Sequence, residues 1–215
     1  MDLYIILTFA VTVIFGYLIG SVNSSIAIIR LWKKEDIREK GSKNAGLTNT
    51  LRLYGKKAAL FVLIADLLKG VLAVLICRLI ANLIGADIEG IIVSYVAGIS
   101  VMIGHIFPIY YGFKGGKGVL IAATTLLAID PLTFAIVIPI FAIILIISNY
   151  VSLSSIIAAI SYPIVTYFTQ NLRGFETVVI NSCLVGFIAI LIVFMHRSNI
   201  KRLINGNENK FRKNK

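Results

Sequence analysis

The apolar positions of this chain fall in long runs, and the polar positions collect between them. A helix that crosses a bilayer needs about 20 apolar residues, more if it is tilted. Leu3–Ile29 meets that length, although its last third is speckled with Gly20, Ser21, Asn23, Ser24 and Ser25. A hydrophilic loop is expected over Arg30–Lys57, then a second span over Ala58–Gly85 and a short acidic turn with Asp87 and Glu89. Gly90–Tyr111 is the third span. Val119–Ala128 is apolar but short and is closed by Asp130-Pro131, which breaks a helix. It either borrows residues from its flanks or is tilted, thin or partly re-entrant. Leu132–Ser148 follows, then a polar turn over Asn149–Ser155, and Ile156–Phe168 with a kink expected at Pro163. Gln170–Glu176 reads as a loop and Thr177–Met195 as the last span, with a basic tail from His196. The pattern predicts an all-α, polytopic membrane helix bundle of about seven transmembrane helices, in one domain over residues 1–215.

Composition agrees. The chain is 58% hydrophobic and 14% charged, with a mean hydropathy of +0.92, whereas a soluble domain carries about 25% charged residues. The net charge of +11 would suit a nucleic-acid partner, but its placement speaks for membrane topology instead. Eighteen of the 21 Lys and Arg lie in the Arg30–Lys57 loop, at Lys114 and Lys117, or in the tail. Seven crossings put these three segments on one face. The positive-inside rule makes that face cytoplasmic and leaves the N-terminus outside. Met1-Asp2 brings no basic n-region, so Leu3 onward is expected to be a spanning helix rather than a cleaved signal. Cys77 and Cys183 each sit in an apolar run and are expected to be buried small hydrophobes, not a disulfide or zinc pair.

Three polar stretches exceed what connecting loops need. Gly41–Asn49 offers two glycines, Ser42 with Asn44, Thr48 with Asn49, and Lys43. Such a run suits a polyoxygen ligand such as a phosphate, and it reads equally as the turn and cap before a helix starting near Thr50. Gly104–Val119 packs His105, Pro108, Lys114 and Lys117 with Gly112, Gly115, Gly116 and Gly118. Glycines let backbone N–H groups converge on an anion, and the lysines add charge. The spacing is not that of a nucleotide-binding P-loop, and no Ser or Thr follows Lys117. His105 alone can also be a packed, hydrogen-bonded histidine. At the end of the last span His196 and Asn199 are three apart, on one helix face. Arg197, Lys201 and Arg202 there make an ordinary snorkelling collar, which does not account for the His/Asn pair or for Glu208. Within the second span, Asp66 and Lys69 are costly in lipid, about 2.5–3.5 kcal/mol each. At i,i+3 they can pair, as a structural support or a site wall.

Taken together these residues resemble one family: the bacterial integral-membrane glycerol-3-phosphate acyltransferases that use acyl phosphate. The resemblance is carried by Gly20, Ser21 and Asn23; by Gly41, Ser42, Asn44, Gly46, Thr48, Asn49 and Arg52; and by Asp66, Lys69 and Gly70. It continues in Gly104, His105, Phe107 and Pro108, in Phe113–Val119, and in His196, Asn199, Ile200, Arg202, Leu203, Gly206 and Glu208. Two positions depart from the family pattern. Asn23 stands where Pro is usual, and Lys43 where Gly is usual.

The resemblance implies seven helices and an active site at the cytoplasmic face of the bacterial membrane. It also implies transfer of an acyl chain from acyl phosphate to the sn-1 hydroxyl of glycerol 3-phosphate. The products would be lysophosphatidate and phosphate, in the first acylation step of phospholipid biosynthesis. Ser42, His196 and Asn199 are then the catalytic candidates. Lys43, Asn44, Thr48, Asn49, Arg52, His105, Lys114, Gly115, Gly116, Lys117 and Gly118 are the substrate-binding candidates. Asp66, Lys69 and Glu208 are supports. Acyl phosphate carries its own leaving group, so no protein nucleophile is expected; no carboxylate and His cluster converges at the cytoplasmic face, so no metal is expected, and no cofactor is expected either. Neither histidine begins an H-x-x-x-x-D motif, since Tyr110 and Lys201 stand at the fifth position. The acyl donor's phosphate is therefore the expected proton acceptor. A transporter for a phosphate-bearing metabolite is the alternative from another class.

Overall fold

The computed structural model describes residues 3–211 and is helical, with no strand among the described residues. Arg212, Lys213 and Lys215 of the basic tail, and Met1-Asp2, lie outside the described residues. The chain forms two compact units, one up to Ile129 and one from Asp130.

The first unit holds α1 (Leu3–Ser21), α2 (Ser24–Lys33), a 3-10 turn (Ile37–Glu39), α3 (Leu47–Ile84), α4 (Gly90–Ile106), a second 3-10 turn (Ile109–Tyr111) and α5 (Val119–Ile129). α1 buries Thr8, Thr12, Gly16 and Gly20, one residue per turn, against α4. A Cβ on Gly20 would overlap the Val101 backbone, and one on Gly104 would overlap the Tyr17 carbonyl. In lipid, where apolar burial does not drive helix association, such close backbone approach does.

Two sequence-based boundaries change here. The first expected span is two helices, because the chain breaks at Val22-Asn23. The Asn23 side chain accepts from the Ile26 N–H at 3.1 Å and caps α2. The residue that replaces the usual Pro thus starts the new helix by capping it. The expected Arg30–Lys57 loop is largely structured. It contains the end of α2, a 3-10 turn and the first two turns of α3, which begins at Leu47 rather than near Thr50. Gly55, at φ 79°, breaks α3 between that short amphipathic piece and the long span.

The second unit is α6 (Pro131–Ser148), α7 (Val151–Leu172), α8 (Val178–Met195) and α9 (Arg197–Ile204), with α7 packed on both α6 and α8. Asp130 caps α6 and Pro131 takes its first turn. α7 extends further at both ends than the pattern suggested and runs through Pro163. Ser154 and Ser155 return their hydroxyls to the carbonyls of Tyr150 and Val151, so they line a helix instead of a turn. The tail after His196 opens with a short helix, α9, where a basic tail alone was expected.

Among the described residues six segments are long and apolar enough to cross a membrane, α1 and α2 counted as one. α5, of 11 residues, rises about 16 Å at 1.5 Å per residue, half of a hydrocarbon core of about 30 Å. Cys77 is buried but Cys183 is exposed.

Candidate active site

The Gly41–Asn49 stretch is held in shape by its last residue. Asn49 is 2% exposed. Its Oδ1 accepts from the Ser42 N–H at 3.1 Å, while its Nδ2 is shared among the carbonyls of Asn44, Lys40 and Ile37 at 3.1–3.4 Å. Asn49 is expected from sequence to touch substrate; in the fold its amide is spent on the loop. From the first turn of α3 it meets four main-chain groups at once. Ser42 and Lys43 are left exposed above it, with Asn44 and Thr48 half-buried. Lys43 adopts φ 57°, the left-handed region that favours glycine, which accounts for the usual Gly at this position.

The second stretch is strapped to the end of α4. The N–H groups of Gly115 and Gly116 donate to the carbonyls of Ile106 and His105 at 3.0 and 3.1 Å. The expectation that these two amides face an anion is thereby corrected. The last carbonyls of α4 lack intrahelical donors, and the loop supplies them. Their lack of side chains serves a different end: a Cβ on Gly115 would overlap the His105 carbonyl, and one on Gly116 would overlap both His105 Nε2 and the Ala45 carbonyl. Lys114 remains exposed and Lys117 half-buried. Gly118, at φ 81°, turns the chain into α5.

Arg38 ties the two stretches together. Its guanidinium grips Asp36 at 2.7–2.9 Å and donates to the carbonyls of Tyr111 and Lys114 at 2.6 and 2.9 Å. Arg38 holds the Asp36 carboxyl well below the usual carboxylate range, and Asp36 raises Arg38 in return. Arg52 lies exposed on the first turns of α3.

Beneath the loops lies a buried polar group. Asp66, 1% exposed, pairs with Lys69 at 3.1 Å and accepts from the Ser24 hydroxyl at 2.7 Å. Lys69 Nζ also donates to the Val22 and Gly20 carbonyls at 2.9 and 3.4 Å and lies 3.3 Å from His105 Nδ1, which is 4.0 Å from Asp66 Oδ1. The carbonyls freed by the α1–α2 break are thus neutralised by the cation that sequence reasoning found costly.

In the second unit, His196 closes α8 and opens α9, 3% exposed. Its Nδ1 lies 2.8 Å from the Ile192 carbonyl. A carbonyl only accepts, so Nδ1 carries a proton. Glu208 takes Asn199 Nδ2 at 2.7 Å and the Ser152 hydroxyl at 3.1 Å on one oxygen, and Arg202 at 2.7 Å on the other. The Phe211 N–H donates to Asn149 at 2.8 Å, fastening the tail to the α6–α7 turn.

Residues 10–206 match the Glycerol-3-phosphate acyltransferase family. The chain belongs to that family. The glycerol-3-phosphate acyltransferase of Chlorobaculum tepidum is 40% identical over 224 residues, covering 95% of this chain and 97% of that protein. The Clostridioides difficile enzyme of the same name is 36% identical, covering 95% and 96%. Among solved structures, PlsY, an integral membrane glycerol 3-phosphate acyltransferase, superposes in its glycerol 3-phosphate form with a TM-score of 0.81. Identity is 34%, covering 95% of this chain and 96% of that one. Its lysophosphatidic acid form gives 0.77 at 33% identity.

Within this acyltransferase fold, the first unit therefore brings together Ser42, Lys43, Asn44, Thr48 and Asn49 on one loop and His105 with Gly115, Gly116 and Gly118 on the other. The second unit brings together Asn199 and Glu208, with His196 at the head of the same short helix. Sequence reasoning missed Arg38, Ser24 and the structural use of Asn23. A basic residue two positions after an Asp, within a loop, is an ordinary surface pattern, and only the 73-residue separation between Arg38 and Tyr111 bridged in the fold marks it out.

Proposed function

We propose that this protein transfers an acyl chain from acyl phosphate to the sn-1 hydroxyl of glycerol 3-phosphate, at the cytoplasmic face of the bacterial membrane. The observation that carries the reading is the match over 95% of the chain to an integral membrane acyltransferase solved in glycerol 3-phosphate and lysophosphatidic acid forms. The residues suit the chemistry. Both substrates carry phosphate, and Lys43, Lys114 and Lys117 rise from two loops pinned by Asn49 and Arg38. The positive-inside distribution supports a cytoplasmic site with the N-terminus outside.

In the proposed step the sn-1 oxygen bonds to the acyl carbon, the carbon–oxygen bond to phosphate breaks, and the leaving phosphate takes the electron pair and the hydroxyl proton. Acyl phosphate is activated already, so alignment of the two reactants does most of the work, up to about 7–11 kcal/mol. Ser42 and the lysines orient phosphate oxygens. In the second unit His196 offers its imidazole to a substrate hydroxyl, and Asn199, held by Glu208, offers an amide in a fixed direction.

The test is direct. Purified protein is incubated with radiolabelled glycerol 3-phosphate and, separately, acyl phosphate, acyl-CoA or acyl-carrier protein. Lipid product from acyl phosphate alone is expected. Product from the thioesters instead would overturn the donor assignment, and vesicle uptake without lipid product would favour transport. His196→Ala with undiminished turnover would remove His196 from the mechanism.

A further inference from the structure

A pocket of about 320 Å³ lies where the end of α2 meets the break in α3, lined by Ile29, Trp32, Lys33, Tyr54, Lys57 and Ala58. Ile29 and Ala58 are buried and form its floor, while Lys33 and Lys57 are exposed. Trp32 stands edge-on to Phe61 with ring centroids 5.0 Å apart, and Lys57 Nζ lies 6.0 Å from the Trp32 ring centre. Among the described residues neither lysine forms an ion pair. Glu35, two residues after Lys33, is engaged by Lys40 at 2.9 Å and by the Tyr54 hydroxyl at 2.8 Å. Gly55 breaks α3, so the long span starts afresh beside the pocket, with the positive end of its dipole there.

The pocket also sits at a membrane boundary. Lys33 ends the membrane-capable segment Leu3–Lys33, and Lys57 precedes the uncharged run 58–65 of the next one. Beyond Lys57, Phe61, Ile64 and Leu68 follow at helical spacing on one face, and all three are exposed. Trp and Tyr belong at the headgroup level, and basic pockets between spans at the cytoplasmic side take anionic headgroups. A soluble anion would use the lysines but leave the apolar stripe bare. A zwitterionic headgroup would bring its own cation to the two lysines.

We propose that Trp32, Lys33, Tyr54 and Lys57 form a site for the headgroup of an anionic phospholipid of the surrounding leaflet, and that its occupation steadies the Gly41–Asn49 loop. The phosphate bridges the two ammonium groups, and an acyl chain lies along Phe61, Ile64 and Leu68. The bridge joins the end of α2 to the head of the long span across Gly55, where nothing else lies within 4 Å of a Cβ position. The loop is strung between those two points. Its Ala45 packs in one buried cluster with the pocket floor, Ile29 and Ala58. The proposal rests on the acyltransferase reading for the cytoplasmic leaflet and for the kinetic consequence, but not for the binding itself.

Trp32 is the single tryptophan of the chain, so its fluorescence reports on the pocket. The full chain in nonionic detergent, without acyl phosphate, is titrated with phosphatidylglycerol, with phosphatidylcholine of the same acyl chains, and with inorganic phosphate. A saturable change with phosphatidylglycerol is expected, at least tenfold weaker with the other two. An equal response to phosphatidylcholine overturns the proposal, and an equal response to inorganic phosphate makes the site one for a soluble anion instead. A basic residue near an anionic lipid is worth about fivefold in affinity, so Lys33→Gln with Lys57→Gln is expected to weaken phosphatidylglycerol at least tenfold. Lys57→Gln alone, read if the pair does not fold, is expected to weaken it about fivefold. Unchanged affinity in the variant read overturns the proposal. In detergent alone the double variant is expected to match the parent's turnover within about twofold. Added phosphatidylglycerol is then expected to lower the KM for glycerol 3-phosphate about threefold or more in the parent and not in the variant. An equal gain in both overturns the link to the loop. If the parent makes no lipid from any donor while Trp32 responds as stated, the reaction reading fails and the headgroup site stands.

Discussion

Each unit pairs one buried aspartate with a cation, and the two arrangements differ in what they leave unfinished. Asp66 and Asp130 are both 1% exposed. Asp130 is saturated by its own unit: it accepts from the Thr133 N–H and hydroxyl at 3.3 and 2.8 Å, from Gln170 at 3.1 Å and from Arg173 at 2.5 Å. Asn181 in turn donates to Gln170 at 2.9 Å, which joins α6, α7 and α8 at one end. Asp66 has two partners on one oxygen, and its Oδ2 has no hydrogen-bond partner among the described residues. Its cation spreads over carbonyls and the ring of His105, whose own carbonyl accepts from the Gly116 N–H. A buried ion pair is weak evidence of either stability or function. What distinguishes these two is where the hydrogen bonds end: on other helices for Asp130, on the α1–α2 break and the His105 ring for Asp66.

That contrast can be broken most sharply at Gly116. Gly116→Ala places a methyl group on His105 Nε2 and the Ala45 carbonyl and is expected to lower turnover by about 10²-fold with a small change in thermal unfolding. A variant with full activity would separate the Asp66 centre from the loops. Next comes Asp130→Asn, expected to cost roughly 2–3 kcal/mol of stability, because Arg173 and the Thr133 cap lose a charged acceptor. The KM for glycerol 3-phosphate should hold. Unfolding in micelles and steady-state kinetics measure the two sides, and a kinetic defect without destabilisation would make the centres alike.

Arg38→Ala removes the staple to Tyr111 and Lys114 and is expected to raise that KM about tenfold, the equivalent of about one charged hydrogen bond. The same clamp carries a pH signature. Because Arg38 lowers the Asp36 carboxyl from its ordinary 3.8, the clamp's stabilisation is complete above that value and is lost as pH falls further, through the folded-state value. Acid unfolding of the parent should therefore show a component, below about pH 4, that Asp36→Asn lacks. The smallest effect is at Lys43. Lys43→Gly relieves a left-handed backbone at φ 57° and is expected to add about 1 kcal/mol of stability. A loss of activity in the stabilised variant would show that the ammonium group, rather than the backbone, is what the loop uses.

Much of the site was legible because its residue types are costly anywhere else. A His with clustered Gly and Lys between two apolar spans, and an Asp and Lys three apart inside one, need partners, and the structure supplies them. Roles were less legible. Asn49 has the look of a ligand residue and serves as a loop pin, since an amide's four bonding sites suit main chain as well as phosphate. The amides of Gly115 and Gly116 serve the end of α4. Arg38 carries no local mark, since its partners are main-chain carbonyls more than 70 residues away.

The sequence alone determined the class of this protein. Long runs of apolar residues mark membrane-spanning helices, and the ordered motifs are those of the acyltransferase family. Helix ends were harder, because serines, asparagines and glycines read as turns when they can equally cap a helix or let two helices touch. Only the tertiary structure decided which polar groups spend their hydrogen bonds inside the fold and which stay available. Hydrogen bonds are short and directional, so that division depends on distances of about 3 Å between segments that spacing along the chain does not fix.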